Sequence, residues 1–141
     1  MIHRTELPIR TFHTDAFGHV NNSRYLELLE EARWRYAEHI GLIELMRAES
    51  LGFIIVDLKM RFRKPVVEGQ VVSIETSLAT LGTASGDVNQ QVYVRSADDS
   101  AKPSPAVKGS FHFILIERAT GKSVPIAGKI RDCLSKVIES N

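Results

Sequence analysis

The sequence predicts one α+β domain in which an antiparallel sheet packs against a long helix. Apolar residues recur at helical spacing in one N-terminal stretch, whereas several later stretches alternate between apolar and polar residues with a period of two. The length of 141 residues suits a single hydrophobic core. We therefore expect residues 1–141 to form one domain.

The N-terminal half predicts a strand, a loop and the long helix, in that order. Residues 3–10 are expected to form the strand and residues 15–21 the polar, glycine-containing loop. The helix should follow from Asn22 to about Gly41, which is well placed to end it, and residues 42–49 should add a short second helix. The apolar residues at helical spacing are Tyr25, Leu29, Ala32 and Tyr36.

The C-terminal half predicts about four strands and a last helix. In the first of these strands, apolar residues recur at every second position, which places five of them on one side: Ile54, Val56, Leu58, Met60 and Phe62. Residues 72–78 and 88–95 form a hairpin around the turn at 82–86, residues 96–105 form a polar loop with two prolines, and residues 107–117 form another strand. The last helix is expected over residues 128–140. The core is expected to include Leu28, Leu29, Phe53, Ile54 and Leu58.

Composition excludes several classes of partner. The formal net charge is +1, so no global field attracts nucleic acid or an anionic membrane. No stretch approaches the roughly 18 apolar residues of a membrane span, and no signal peptide is evident at the N-terminus. Cys133 is the single cysteine, which favours a reducing compartment. We expect a cytoplasmic protein that binds neither nucleic acid nor membrane.

Chemistry is expected just before the long helix, where Asp15 and His19 lie close in sequence. A helix start carries backbone N–H groups without intrahelical partners and the positive end of the helix dipole. An electron-rich oxygen is stabilised there. A carboxylate in this position suits a base or nucleophile that acts on a bound carbonyl, although Asp15 could equally be a turn residue that hydrogen-bonds to its own backbone.

The segment from Asp15 to Tyr25, continuing to Trp34, resembles the hotdog-fold acyl-CoA thioesterases related to 4-hydroxybenzoyl-CoA thioesterase. The resemblance extends to the strand at 53–56 and to the segment at 61–66, and its element order covers essentially the whole chain. The run from His19 to Asn22 is most similar to the branch that acts on fatty acyl thioesters and to plant acyl-carrier-protein thioesterases. The resemblance implies a hotdog fold, in which a curved antiparallel sheet wraps around the long central helix.

The resemblance also implies hydrolysis of an acyl thioester to an acid and a thiol. Asp15 matches the catalytic carboxylate, as general base or as nucleophile. Asn22 and Ser23 match the helix start whose backbone N–H polarises the thioester carbonyl. Some relatives carry Tyr or His at Asn22, so no side-chain acid is transferred to that position, and His19 either supplies an imidazole that orients Asp15 or water, or holds the loop.

Four further residues are candidates for substrate binding: Arg61, Arg63, Lys64 and Tyr25. The three cations could bind the phosphates of coenzyme A, or could form the solvated face of a strand. We expect no cofactor and no metal, because the spacing of His13, Asp15 and His19 matches no usual zinc pattern. Glu30 is expected to pair with Arg33 or with neighbours of Trp34, leaving Glu31 as a minor candidate for lining the site.

The expected function is hydrolysis of medium- to long-chain fatty acyl-CoA. Two alternatives stay open: hydrolysis of acyl-carrier-protein thioesters, and a non-catalytic acyl-CoA binding or sensor protein. A sheet covered by one helix leaves an open edge or face, so association into a dimer is expected, and two dimers could pair into a tetramer of hotdog subunits. The resemblance implies that the active site lies at the dimer interface.

Overall fold

A computed structural model describes residues 1–95 and 104–139. The expected loop at 96–105 therefore lies mostly outside the described residues. The elements in chain order are β1 (His3–Pro8), a 3-10 turn (Thr11–His13), α1 (Asn22–His39), α2 (Leu42–Glu49), β2 (Leu51–Phe62), β3 (Val71–Leu81), β4 (Ser85–Val94), β5 (Val107–Glu117) and α3 (Gly128–Glu139). These bounds confirm the predicted α+β class and the predicted element order.

The sheet has the strand order β1-β3-β4-β5-β2, and every neighbouring pair is antiparallel. The long helix α1 packs against this sheet through Leu28, Leu29 and Ala32, which are buried. Its polar side, with residues such as Glu27 and Glu31, is exposed. This arrangement of five antiparallel strands against one central helix is the hotdog fold.

Strand β2 lies at one edge of the sheet and differs from the prediction. A bulge between Ile55 and Asp57 breaks strict alternation: Phe53 and Ile55 lie opposite Leu115 and Phe113, but beyond the bulge Leu58 lies opposite Phe111. Leu58 therefore shares the helix-facing side with Phe53, whereas Ile54 lies on the other face.

The expectation that Ile54 and Leu58 belong to the core was wrong. They are 41% and 44% exposed, because an edge strand has a neighbour on only one side. Phe53 is half-buried against Phe113, with ring centroids 5.0 Å apart, and Leu28 and Leu29 are buried as expected. Four large apolar side chains of this one strand are exposed: Ile54, Val56, Leu58 and Phe62.

The apolar interior consists of two clusters. The first cluster contains Tyr25, Leu29, Val66 and Phe111 and surrounds the N-terminal half of α1. The second contains Leu42, Met46, Leu78 and Phe113, together with the apolar face of α3. Ile55 packs against both clusters.

A polar layer lies between the two clusters. Thr76 and Gln90 are buried opposite one another on β3 and β4. The Gln90 side chain donates to the Leu29 carbonyl and to Thr76 Oγ1, both at 3.0 Å, and accepts from Arg33 Nη1 at 2.8 Å. These bonds satisfy the buried amide and connect the helix to the middle of the sheet.

Candidate active site

The loop before α1 is a narrow reverse turn. Thr14 and Val20 form an antiparallel bridge, and the Asp15 amide donates to the His19 carbonyl at 2.8 Å. The Gly18 amide donates back to the Asp15 carbonyl at 3.0 Å, with Gly18 at a φ of 76°. This left-handed conformation costs glycine little, so the loop closes tightly and presents Asp15 at its base.

The Asp15 side chain takes part in this turn through one oxygen. Asp15 Oδ1 accepts from the Phe17 amide at 2.9 Å and from the His19 amide at 3.3 Å. Within residues 1–95 and 104–139, no side chain or amide donates to Oδ2. The turn-forming and chemical interpretations of Asp15 are therefore compatible, because one oxygen fixes the loop and the other is available to a ligand.

The start of α1 lies directly after the loop. Asn21 is the N-cap: its Oδ1 accepts from the Ser23 amide at 3.0 Å and from Ser23 Oγ at 2.6 Å. The Asn22 amide makes no hydrogen bond to any residue in the described part of the chain. Of the two predicted donors at the helix start, Ser23 thus has its N–H occupied by the cap, and Asn22 has an N–H free for an incoming oxygen.

His19 lies at the far end of the same turn. Its backbone bridges to Val67 and its side chain is exposed, and its ring makes no hydrogen bond or ion pair with the described residues. His13 is different, because its Nδ1 accepts from the Arg10 amide at 2.8 Å and its ring lies 4.2 Å from that of Phe12. Burial is the main cause that lowers the pKa of His13.

The segment after β2 runs beside the loop. The Val20 amide donates to the Val66 carbonyl at 2.8 Å, and His19 bridges to Val67. Arg63 and Lys64 directly precede this segment; their amides donate to the Ala106 carbonyl and their side chains are exposed. The backbone of these two cations is therefore two to four residues along the chain from the residues that bond to the loop, Val66 and Val67.

Arg61 and Tyr25 occupy different environments from the two loop cations. Arg61 lies opposite Lys108, on the sheet face that points away from α1. Tyr25 is 2% exposed in the first cluster, with its ring 5.6 Å from that of Phe62. Burial raises the pKa of Tyr25 to about 12, so its hydroxyl stays protonated at neutral pH.

A cavity of about 330 Å³ opens between α1, α2 and β2. Its walls are mainly apolar and include Ala37, Leu42, Met46, Phe53 and Ile55. A volume of this size lies at the lower end of the range for ligand pockets, about 300–1,000 Å³. The lining is suited to an alkyl group.

Two charged residues of α1, Glu30 and Arg33, also line this cavity. Glu31 does not: it accepts from Arg35 Nε at 3.0 Å on the exposed side of the helix. Glu31, the minor candidate for lining the site, therefore lies outside this cavity, because adjacent helical residues point about 100° apart. The expected pairing of Glu30 with Arg33 was wrong: no ion pair joins them in the described part of the chain, although the Glu30 charge acts on Arg33.

Sequence reasoning missed Arg33 and Gln90. Arg33 is half-buried, with its guanidinium carbon 4.3 Å from the Phe111 ring centroid, and burial lowers its pKa. The available signal was Gln90 itself, a polar residue at an inward-facing position between Val88 and Val92. The described residues contain no cluster of three or more metal-ligating side chains, and no helix among them is long and apolar enough to span a membrane.

Proteins of similar sequence and structure include thioesterases. A family model described as the thioesterase-like superfamily matches residues 9–134. The chain belongs to this superfamily. It is also 30% identical over 138 residues to the long-chain acyl-CoA thioesterase FadM of Escherichia coli (strain K12), covering 96% of this chain and 99% of that protein.

Solved structures of thioesterases share the fold. The structure of YbaW, a probable thioesterase from Escherichia coli, has a TM-score of 0.84 and 29% identity, covering 96% of this chain and 98% of that one. Slr0204 of Synechocystis, a 1,4-dihydroxy-2-naphthoyl-CoA thioesterase, has a TM-score of 0.81 at 12% identity, covering 97% and 98%, and supports the fold alone. The chain is a hotdog-fold thioesterase.

Proposed function

We propose that this thioesterase hydrolyses medium- to long-chain fatty acyl-CoA to free acid and coenzyme A, with Asp15 as its catalytic carboxylate. One observation carries the proposal: a carboxylate with one oxygen fixed by two amides and the other open precedes a helix start with an unpaired amide. The similarity to FadM supports acyl-CoA as the substrate class.

The chemistry follows from this arrangement. The thioester carbonyl oxygen lies at the start of α1 and accepts from the Asn22 amide, where the helix dipole stabilises the developing negative charge. As general base, Asp15 Oδ2 takes a proton from the attacking water, the carbon–sulfur bond breaks, and the proton passes to the departing thiolate to give coenzyme A and the free acid. As nucleophile, Asp15 Oδ2 attacks the carbonyl carbon and the carbon–sulfur bond breaks to give a mixed anhydride. Water then hydrolyses this anhydride to the free acid and regenerates Asp15, and the proton released in that step balances the proton taken up by the coenzyme A thiolate.

The neighbouring residues have supporting roles in this proposal. Ser23 helps to fix the helix start through its bonds to Asn21. His19, exposed beside Asp15, orients the water or the carboxylate. Tyr25 supports the helix start from the core. Coenzyme A phosphates bind at Arg63 and Lys64, which directly precede the segment that bridges to the loop, and at Arg61, which lies on the sheet face that points away from α1.

The cavity between α1, α2 and β2 supports an alkyl chain as the acyl group. Its lining residues Leu42, Met46 and Phe53 offer apolar contacts and few hydrogen-bonding groups. The fold is shared with a thioesterase for an aromatic acyl-CoA, so an aromatic ester belongs in the test.

A dimer through β2 is part of the proposal. Strand β2 is 12 residues long and has a sheet neighbour, β5, on one side only. The exposed Ile54, Val56, Leu58 and Phe62 lie along it, and an exposed apolar edge invites pairing with a second copy of the chain. Two such dimers would form the expected tetramer. A cytoplasmic location is likewise proposed, supported by the single cysteine, Cys133.

The test is thiol release from a panel of acyl-CoA esters, acetyl to palmitoyl plus one benzoyl ester. The proteins compared are wild type, Asp15→Asn and the control Asp132→Asn, which alters an exposed carboxylate on α3. We expect turnover to rise with chain length, to fall by about 10²–10⁴-fold in Asp15→Asn, and to persist in the control.

Three other results would each contradict part of the proposal. Turnover of a matched acyl-carrier-protein thioester alone would identify a carrier-protein thioesterase. Tight binding of acyl-CoA without turnover would identify a sensor. Full activity in Asp15→Asn would remove Asp15 from the chemistry.

A further inference from the structure

Arg33 is an incompletely paired cation in the wall of an apolar cavity. One guanidinium nitrogen donates to Gln90 Oε1 at 2.8 Å, and the guanidinium lies over the Phe111 ring. A guanidinium has five N–H donors. In the described part of the chain, Gln90 is the single acceptor it reaches, and no carboxylate lies within ion-pair distance.

The other charged groups at this cavity are peripheral. Glu30 and Arg118 also line it, but both are exposed, whereas Arg33 is half-buried against the sheet. The Glu30 charge acts on Arg33 without forming an ion pair. The unused donors of this half-buried guanidinium bond to water when no ligand is bound, and a ligand oxygen that enters the apolar cavity can take the place of that water.

Arg33 is distant from the site where the thioester is expected. It lies eleven residues beyond Asn22, which corresponds to roughly 16 Å along the helix axis at about 1.5 Å per residue. Its donors therefore cannot reach a thioester carbonyl at the start of the same helix. An acceptor for Arg33 must belong to a remote part of the ligand.

We propose that the cavity selects acyl chains that carry an oxygen acceptor remote from the thioester, a hydroxyl group or a terminal carboxylate, and that Arg33 donates to it. This inference rests on the proposed acyl-CoA hydrolysis and adds the chemical class of the acyl group. Gln90 positions the guanidinium, because its amide is fixed by Leu29 and Thr76. The apolar walls contact the remainder of the chain.

The test compares kcat/KM for tetradecanoyl-CoA with that for chain-matched esters that carry one hydroxyl at successive positions or a terminal carboxyl group. For wild type, kcat/KM for at least one oxygenated ester should exceed kcat/KM for tetradecanoyl-CoA by about tenfold, which is the effect of one hydrogen bond to a charged group. In Arg33→Met, the ratio of kcat/KM for that oxygenated ester to kcat/KM for the parent ester should fall to about one. The hydroxyl and carboxyl arms identify which acceptor is used.

Arg35→Met is the matched control, because Arg35 lies two residues away on the same helix, is exposed and pairs with Glu31. Its oxygenated-to-parent ratio should equal that of wild type. Arg33→Lys keeps a charge and should retain part of the preference, which also covers the case of an unstable Arg33→Met protein.

Each outcome bears on one claim. If wild type hydrolyses the parent ester and shows no preference for any oxygenated ester, the inference is overturned and the proposed function stands. If wild type hydrolyses none of the esters, including the parent, the proposed function fails and the inference falls with it. A preference that survives in Arg33→Met also overturns the role of Arg33.

Discussion

Replacing Gln90 by Leu tests whether the polar layer between the two apolar clusters stabilises the fold. Gln90 is 1% exposed and makes three hydrogen bonds, to Leu29, Thr76 and Arg33. Leucine fills a similar volume but makes none of them, and it leaves the Arg33 guanidinium and the Thr76 hydroxyl without this partner.

The magnitude follows from the kinds of bond lost. A bond to a charged group contributes about 1.5–3 kcal/mol and a neutral one about 1 kcal/mol. Arg33 is half-buried, so we use the lower value of about 1.5 kcal/mol for its bond and add about 1 kcal/mol for buried Thr76. Leu29 adds little, since its carbonyl lies inside α1. The expected loss of unfolding free energy is about 2–3 kcal/mol.

Urea unfolding at one fixed protein concentration measures this loss, because association would make stability depend on concentration. Gln91→Leu is the control, because Gln91 lies on the other sheet face, where it accepts from the Tyr93 hydroxyl. This substitution should lower the free energy of unfolding by less than about 1 kcal/mol. The double variant Arg33→Met with Gln90→Leu should cost less than the two single changes added together. A Gln90→Leu cost below about 0.5 kcal/mol, or additive costs, would refute a stabilising polar layer.

Three further predictions concern other parts of the molecule. Asp15→Ala should be less stable than Asp15→Asn in thermal unfolding, because asparagine keeps the oxygen that accepts from the turn amides; equal melting temperatures would contradict this. Gly86→Ala should lower the unfolding free energy by about 1–3 kcal/mol, since an added Cβ would lie 2.5 Å from Phe113 Cζ, whereas Gly82→Ala should have a smaller effect. Hydrogen bonds from Thr80 and His112 lower the pKa of Asp87 below 3.8, so its contribution to stability is present above that pH and is lost as pH falls through the folded-state pKa. The difference in stability between wild type and Asp87→Asn should therefore be largest near neutral pH and shrink below about pH 4 in pH-dependent urea titrations.

Much of the fold was predictable because local signals and the tertiary structure agree. The helix start at Asn22, the short helix at Leu42–Glu49 and the strand at Val107–Glu117 were predicted from local sequence signals: helical spacing with a capping residue for the first, and β-prone composition for the strand. The bulge in β2 was not predictable, since neither glycine nor proline marks it. The exposure of Leu58 also depends on strand order, which local pattern does not contain.

The candidate site was only partly predictable. The motif identified Asp15 and the helix start, and the predicted turn role of the aspartate coexists with an available carboxylate oxygen. The position of Arg33 in the cavity wall could not be predicted, because an arginine among helical glutamates has the sequence pattern of a surface residue. Its environment is created by Gln90, which is 57 residues away in sequence.

The polar layer has a consequence for how this protein can change. The cluster with Tyr25 and Val66 supports the Asp15 loop, and the cluster with Leu42 and Met46 lines the cavity. Side-chain substitutions on the cavity side need not change the structure across this hydrogen-bonded layer, at the Asp15 loop. Under the proposed function, acyl-group preference can thus change by evolution or by redesign without altering the Asp15 loop.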